Sequence, residues 1–491
     1  MPRDAHRVAI RGAFARSVER EAFLTLVLAM LFVFLVRTMP YQLVADSWLA
    51  LVAGREVLDN GLPTHNTLTV WAEGVEWVDQ QWLAHVVLYA LAAVGGVKLA
   101  LFANASIIAA SFVSGALAAR RLGGSARSVA FTALPCMFAA LWAYQLRAQT
   151  LAYPLFVGVF WLLASDSRRP SRRVVLVLPL LVLWANVHGS ALIGAGLVGL
   201  YGATVLARRA ASGARPEAAV TLRAAVVTVA APVCLLASPY GLSLVDYYRS
   251  VVLNPTLSRL VVEWQPSTPS AMTAAFFLTA GGAIWLVARH GALLTPFERL
   301  ALAATMVSGL LAIRSIVWFA LASLMLLPAL VDAAFPVREP AKRRLSYALT
   351  AFALIGAVAA FIDAARLPVG WYSQNLSAGA LAAVANATAR DPALHVFATE
   401  PYADWLLWER PELARRVAFD VRFELFSESE FRKVVDLYDL RRGWRESVDG
   451  YDIVVLEPQR HRVRNALLAD GTASILYADS DATVVLRKPR S

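Results

Sequence analysis

Four ionisable side chains of this 491-residue chain, Asp46, Arg147, His188 and Arg314, fall where long apolar runs end or turn over. Asp46 follows directly on LTLVLAMLFVFLVRTMPYQLV and opens the stretch ADSWLALVAGREVLDNG, residues 45–61. The other three sit in YQLRAQT (144–150), WANVHGS (184–190) and AIRSIVW (312–318), each at the tip of an apolar stretch too long for one crossing and bounded by arginine clusters. Ionisable groups at membrane depth are costly and face a polar cavity or a partner, which makes the four candidates for function. Snorkelling or loop solvation is the alternative for the three tips, and capping of the following helix is the alternative for Asp46. A longer polar loop, residues 238–270, adds Tyr240, Asp246, Arg249, Arg259, Glu263 and Trp264, with a short helix expected near 243–252. Glu263 and Trp264 have sugar-binding chemistry, a hydrogen-bonding carboxylate beside a stacking ring, and the same pair would equally serve as an aromatic-belt anchor.

The elements that must position these residues follow from composition. With 58% hydrophobic and 16% charged residues, the chain is too apolar for an ordinary soluble protein. The formal charge of +11 resides largely in arginines clustered in short loops, so membrane orientation accounts for it and no nucleic-acid partner is required. Cys136 and Cys234 each lie in an apolar segment, which leaves neither a disulfide framework nor a cysteine-based zinc site. The basic N-terminus, residues 1–20, precedes a long run without a small-residue cleavage site and reads as leading into a retained helix.

About 20 apolar residues cross a bilayer as a helix. Spans are expected at 21–39, 97–118, 128–145, 150–165, 174–187, 190–207, 223–238, 271–288, 298–313, 315–334 and 346–363. The fold class is thus a polytopic α-helical membrane protein of about eleven transmembrane helices, with a bundle over 21–364 and outer loops at 40–96 and 238–270. Arg120/Arg121/Arg127, Arg168/Arg169/Arg172/Arg173, Arg208/Arg209/Arg215, Arg289/Arg299 and Arg338/Lys342/Arg343/Arg344 join the N-terminus on one side, the cytoplasm. The first loop and the C-terminal region then lie outside a plasma (inner) membrane. Two juxtamembrane helices are expected in the first loop. One is 45–61, with Trp48, Leu49, Val52 and Val57 inward, Arg55, Glu56 and Asp59 toward water, and Asn60-Gly61 as its stop. The other is 81–96, which ends in Gly-Gly.

From residue 365 to 491 the chain reads as a small extracytoplasmic α/β domain. Short β-rich runs alternate with helical patterns: HVFAT, then PYADWLLWE, then RVAFDV, then a helix near 427–440, then DIVVLEP, a helix near 459–469, SILYADS and ATVVLRK. Asp404, Asp420 and Arg422 stand near element ends, placed either to reach over the membrane site or to stabilise this domain. Asp479-Ser-Asp481 has the Asp-x-Asp form of a metal and nucleotide-sugar motif, but its place between two strands makes it a hairpin turn. No P-loop, dinucleotide fingerprint, H-E-x-x-H or G-x-S-x-G occurs, which disfavours bound-ATP coupling and serine-hydrolase chemistry.

Taken together, a first helix, an acidic residue opening a long outer loop, juxtamembrane helices, further spans and an outer C-terminal domain resemble the GT-C class of polyprenyl-phosphate-sugar-dependent membrane glycosyltransferases. The segments D-S-W-x5-G-R-x4-N-G-L-P-T-x-N-T-L-T, W-V-D-Q-Q-W-L, N-V-H-G-S, S-P-Y-G, V-E-W-Q-P and Y-A-D-W-L-L-W are similar to a bacterial branch of that class. The resemblance implies a lipid-linked sugar as donor, an outer-side glycan, lipid or protein as acceptor, and Asp46 as the group that takes the acceptor's proton. In such a reaction Arg147 and Arg314 have the chemistry to neutralise charge developing on the lipid phosphate, and His188 to share that task or to orient Asp46. Related sequences carry an acidic residue where this one has Gln81, so Asp79 is the one carboxylate of WVDQQWL available for substrate. A divalent metal is left open. The alternative is a non-catalytic transporter or envelope-assembly protein with the same architecture, and the absence of internal repeats with matching interrupted helices weighs against a transporter.

Overall fold

Helix after helix follows the apolar pattern of the sequence, and the departures from it occur where a second, distant segment intervenes. The computed structural model describes residues 2–212, 218–252, 254–336, 343–469 and 471–487. Arg215, Arg338 and Lys342 lie outside the described residues, as do the side chains of residues 2–18 and of Arg343.

Each of the eleven expected spans overlaps a helix, although 128–145 and 174–187 are each part α-helix and part 3-10 turn. Among the described residues seven helices are long and apolar enough to cross a membrane, which makes this a multi-pass membrane protein. The first helix, α1 (Pro2–Arg37), leads through a short 3-10 turn, Met39–Gln42, into α2 (Ala45–Asn60). α3 (Trp82–Arg121) joins the expected juxtamembrane helix 81–96 to the following span, and non-helical backbone at Gly95 and Gly96 breaks it between the two. Gly96 has φ +67, a conformation that glycine adopts without strain. Three interruptions then match the three tips. α4 (Ala126–Ala139) gives way to α5 (Ala148–Arg168) through a 3-10 turn at Leu141–Tyr144. α6 (Val177–Val187) is followed at once by α7 (Ala191–Ser212). The helices Pro296–Leu311 and Ile316–Ala334 meet across Ile313–Ser315.

α2 departs from expectation. Every residue from Ser47 to Gly54 is buried, on all faces of the helix, so α2 does not rest on a surface. It is clamped between α3 and the helix Glu400–Glu409, which contains PYADWLLWE. Gly54 makes the first contact possible, because a Cβ there would lie 2.1 Å from the His85 carbonyl oxygen. Arg55, expected in water, instead donates to the Leu407 and Trp408 carbonyls at 2.6 and 3.0 Å, satisfying acceptors left open at that helix's C-terminus. Gly61 ends α2 at φ +86 and ψ −175, an extended glycine conformation and not the left-handed helical stop that Asn-Gly implied.

The C-terminal region carries a four-stranded sheet in the order β1 (Val396–Ala398), β2 (Ile453–Leu456), β4 (Thr483–Arg487), β3 (Ala473–Ala478). β1 and β2 run parallel and the other pairs antiparallel. RVAFDV forms no strand of its own; Val417 bridges Val396 on one side and Thr69 of the first loop on the other. The Trp71 ring stacks on Phe419 at 5.0 Å and meets Phe397 and Phe426 edge-on or tilted, so the first loop fills part of this domain's core. The two regions therefore sit at the same end of the helix bundle. Asp479 caps the β3–β4 turn by accepting from the backbone of Asp481 and Ala482, and Ser377 donates to it at 2.5 Å, a structural use for the Asp-Ser-Asp sequence.

Candidate active site

Asp46 owes its place to hydrogen bonds its neighbours make. Ser47 caps α2, its hydroxyl accepting from Val44 N–H at 3.0 Å and donating to the Leu146 carbonyl at 2.7 Å. Leu146 N–H in turn donates to the Gln42 carbonyl, and Asn104 bridges the Gln42 side chain and the Tyr144 carbonyl. The start of α2 and the tip before α5 are thereby fastened together, which sets Asp46 Oδ2 3.0 Å from Arg147 Nε. Capping falls to Ser47, so the carboxylate of Asp46 is free of that structural duty.

Arg147 also ion-pairs with Glu263, whose other oxygen lies 3.5 Å from Arg314 Nη1. Backbone pairing explains the second contact: Ile313 N–H donates to the Gln265 carbonyl and Ser267 N–H to the Leu310 carbonyl, zipping the outer loop onto the interruption that carries Arg314. The Arg314 guanidinium lies over the Trp264 ring at 4.3 Å. Glu263 and Trp264 are thus engaged by arginines, one by charge and one by its π face.

His188 lies at the C-terminus of α6. Its Nδ1 accepts from Ser190 N–H at 3.1 Å, which leaves Nε2 to carry the proton. Burial and the nearby Arg314 push the imidazole well below its ordinary value, so it is a neutral hydrogen-bond donor. Burial raises Asp46 above the ordinary carboxylate range against the pull of Arg147, whereas Arg314 and Arg147 overcome the burial of Glu263 and hold it at about 2.

All six of Asp46, Arg147, His188, Glu263, Trp264 and Arg314 line one cavity of about 540 Å³. Its inner wall includes Trp318, packed against Tyr153, Phe156 and Trp184 with ring centroids 5.2–5.8 Å apart. The cavity meets an apolar groove of about 460 Å³ at Leu192, Tyr248 and Val252. Tyr248 belongs to the helix Ser243–Val252, the short helix expected in that loop.

Asp79 is not among the lining residues. It is buried behind His85, whose Nδ1 is 2.9 Å from its Oδ1, and the imidazole rather than the carboxylate borders the cavity. His85, Gln81, Tyr247 and Glu424 also line it and were not singled out from sequence as site residues. Of the C-terminal candidates, Arg422 reaches the cavity, while Asp420 holds Arg422 and Asp404 accepts from Val421 N–H. Among the described residues no group of three or more His, Cys, Asp or Glu side chains could hold a metal ion. Asp46 and Glu263 share Arg147 between them.

No protein-family model matches the sequence, and no curated protein matches it either. Solved structures do. The archaeal oligosaccharyltransferase AglB from Archaeoglobus fulgidus, in complex with an inhibitory peptide and a dolichol-phosphate, is 12% identical and superposes with a TM-score of 0.57 over 88% of this chain and 69% of that one. The same enzyme tethered to an acceptor peptide containing the NVT sequon gives 11% and 0.53 over 89% and 69%. ArnT from Cupriavidus metallidurans bound to undecaprenyl phosphate is 15% identical, with a TM-score of 0.47 over 93% and 97%. On the superposition with AglB, the chain has the membrane fold of the GT-C glycosyltransferases.

Proposed function

We propose that the protein transfers a sugar from a polyprenyl-phosphate carrier to an acceptor on the non-cytoplasmic face of a bacterial-type inner membrane. The observation that carries this reading is the polar cavity in which Arg147 and Arg314 stand with Asp46 and Glu263 beside an apolar groove. That combination suits a ligand with an anionic head and a hydrocarbon tail. The structural neighbour AglB was solved with a dolichol-phosphate, which agrees with such a ligand.

In the proposed reaction Asp46 takes the proton of an acceptor hydroxyl while that oxygen bonds to the anomeric carbon. The bond from the anomeric carbon to the phosphate oxygen breaks, and its electron pair leaves on the lipid phosphate. Arg147 and Arg314, positioned by Glu263, stabilise the charge that develops there, and His188 adds a neutral donor. Desolvation of Asp46 makes it more basic than a surface carboxylate, which suits proton abstraction. Asp79 acts through His85, fixing the imidazole that borders the cavity next to Gln81.

Comparing lipid extracts of cells with and without the chain tests this reading. Accumulation of one polyprenyl-phosphate sugar in its absence, with loss of one surface glycan, supports it. Unchanged lipid-linked sugars and unchanged glycans would refute it.

A further inference from the structure

Three carboxylates border the cavity, and only two of them are spoken for. Asp46 and Glu263 are tied to Arg147, and Glu263 to Arg314 as well. The third, Glu424, sits on the 3-10 turn Phe423–Leu425 of the C-terminal domain, and among the described residues it forms no ion pair. Burial pushes its carboxyl up to about 7, with the charges of Asp420 and Asp46 adding to the effect and the Arg422 guanidinium opposing it.

Its backbone is held with unusual thoroughness for a loop. Arg422, two residues earlier, is 2% exposed, donates to both oxygens of Asp420 at 2.5–3.0 Å and to Asn66 Oδ1 at 2.6 Å, and lies over the Trp77 ring at 4.1 Å. Asn66 and Trp77 belong to the first loop, the loop that Asp46 opens. Phe423 and Phe426 add ring contacts to Phe431, and Phe426 to Trp71. A carboxylate kept in the cavity wall by this much order, with only its own backbone N–H as a hydrogen-bond donor to it among the described residues, has acceptor capacity left for a ligand.

We propose that Glu424 recognises the glycosyl group itself, accepting hydrogen bonds from hydroxyls of a neutral sugar whose phosphate lies at Arg147 and Arg314. The inference rests on the transferase reading above and adds to it a substrate class and a residue from the C-terminal domain. A second negative charge on the sugar, as in a uronic acid, meets like charge at Glu424 and is disfavoured.

The full-length protein in lipid nanodiscs, titrated with three probes, separates the two levels of the claim. The probes are undecaprenyl phosphate, an undecaprenyl-phosphate-linked neutral hexose and the matching hexuronate. Wild-type protein is expected to bind the hexose lipid roughly 10- to 100-fold tighter than undecaprenyl phosphate, the range of one charged hydrogen bond, with no such gain for the hexuronate. Glu424→Ala removes that gain and Glu424→Gln most of it, while both variants bind undecaprenyl phosphate as wild type does, which also reports that they are folded. Retention of the hexose gain in both variants overturns the inference, as does equal wild-type affinity for hexose and hexuronate lipids. Failure of wild-type protein to bind undecaprenyl phosphate removes the transferase reading, and this inference with it.

Discussion

Glu263→Gln tests the electrostatic design of the cavity. Glu263 is the shared partner of Arg147 and Arg314, and its side chain is 13% exposed. A carboxyl held at about 2, where it would ordinarily titrate at 4.5, carries about 3 kcal/mol of preferential interaction with its ionised form. Because the folded-state value is depressed, this stabilisation is complete above 4.5 and is lost as pH falls toward 2. At neutral pH the amide therefore forfeits it and leaves two guanidinium groups facing one another across a small space. We expect Glu263→Gln to lose about 3 kcal/mol of stability, since removing one partner of a buried pair strands the other. The assay is thermal unfolding in detergent or nanodiscs, with and without undecaprenyl phosphate. The phosphate replaces the missing negative charge, so it should stabilise the variant more than the wild type. A variant as stable as wild type, or one that the phosphate stabilises no better, would refute the argument that Glu263 exists to hold the two arginines.

Three other outcomes are expected. Gly54→Ala should cost about 1–3 kcal/mol through overpacking of α2 on α3, whereas Gly281→Ala, with nothing within 4 Å of its added carbon, should be neutral; equal behaviour of the two would discredit the close crossing. Cysteines placed at the exposed positions Leu58 and Val369 should react with a membrane-impermeant maleimide from the non-cytoplasmic side, and one at Leu293 only from the cytoplasmic side; labelling of Leu58 and Val369 from opposite sides would break the topology. Affinity for an undecaprenyl-phosphate hexose should weaken as pH falls below about 7, because Glu424, facing Arg422, Asp420 and Asp46, takes up a proton there, and Glu424→Gln should be flat across that range.

The hairpin tips were legible because a charged residue within a long apolar run has few places to go, and Arg147, His188 and Arg314 stood out one by one. Their spacing in the chain carried no sign that Glu263 would link two of them. α2 was misread for a related reason. Trp48, Leu49, Val52 and Val57 describe one apolar stripe, but Ala50, Ala53 and Gly54 off it are buried too, because α2 packs both on α3, where Gly54 meets His85, and on the helix Glu400–Glu409 some 350 residues away. His85 and Asp79 lay six residues apart across a helix start, a pairing that local periodicity does not announce. Glu424 had no local signal either, since VRFELF reads as an ordinary loop until Asn66, Trp71 and Trp77 are brought to it.

The most direct test of the central claim is glycosyl transfer by purified Asp46→Asn protein, with the lipid-linked sugar that accumulates in cells lacking the chain as donor. Ser47, not Asp46, caps α2, and the amide is isosteric, so folding and undecaprenyl phosphate binding should persist. Loss of a general base costs about 10² to 10⁴-fold in rate. The account predicts a fall of that size in transfer with the carrier still bound. Transfer at the wild-type rate would contradict it.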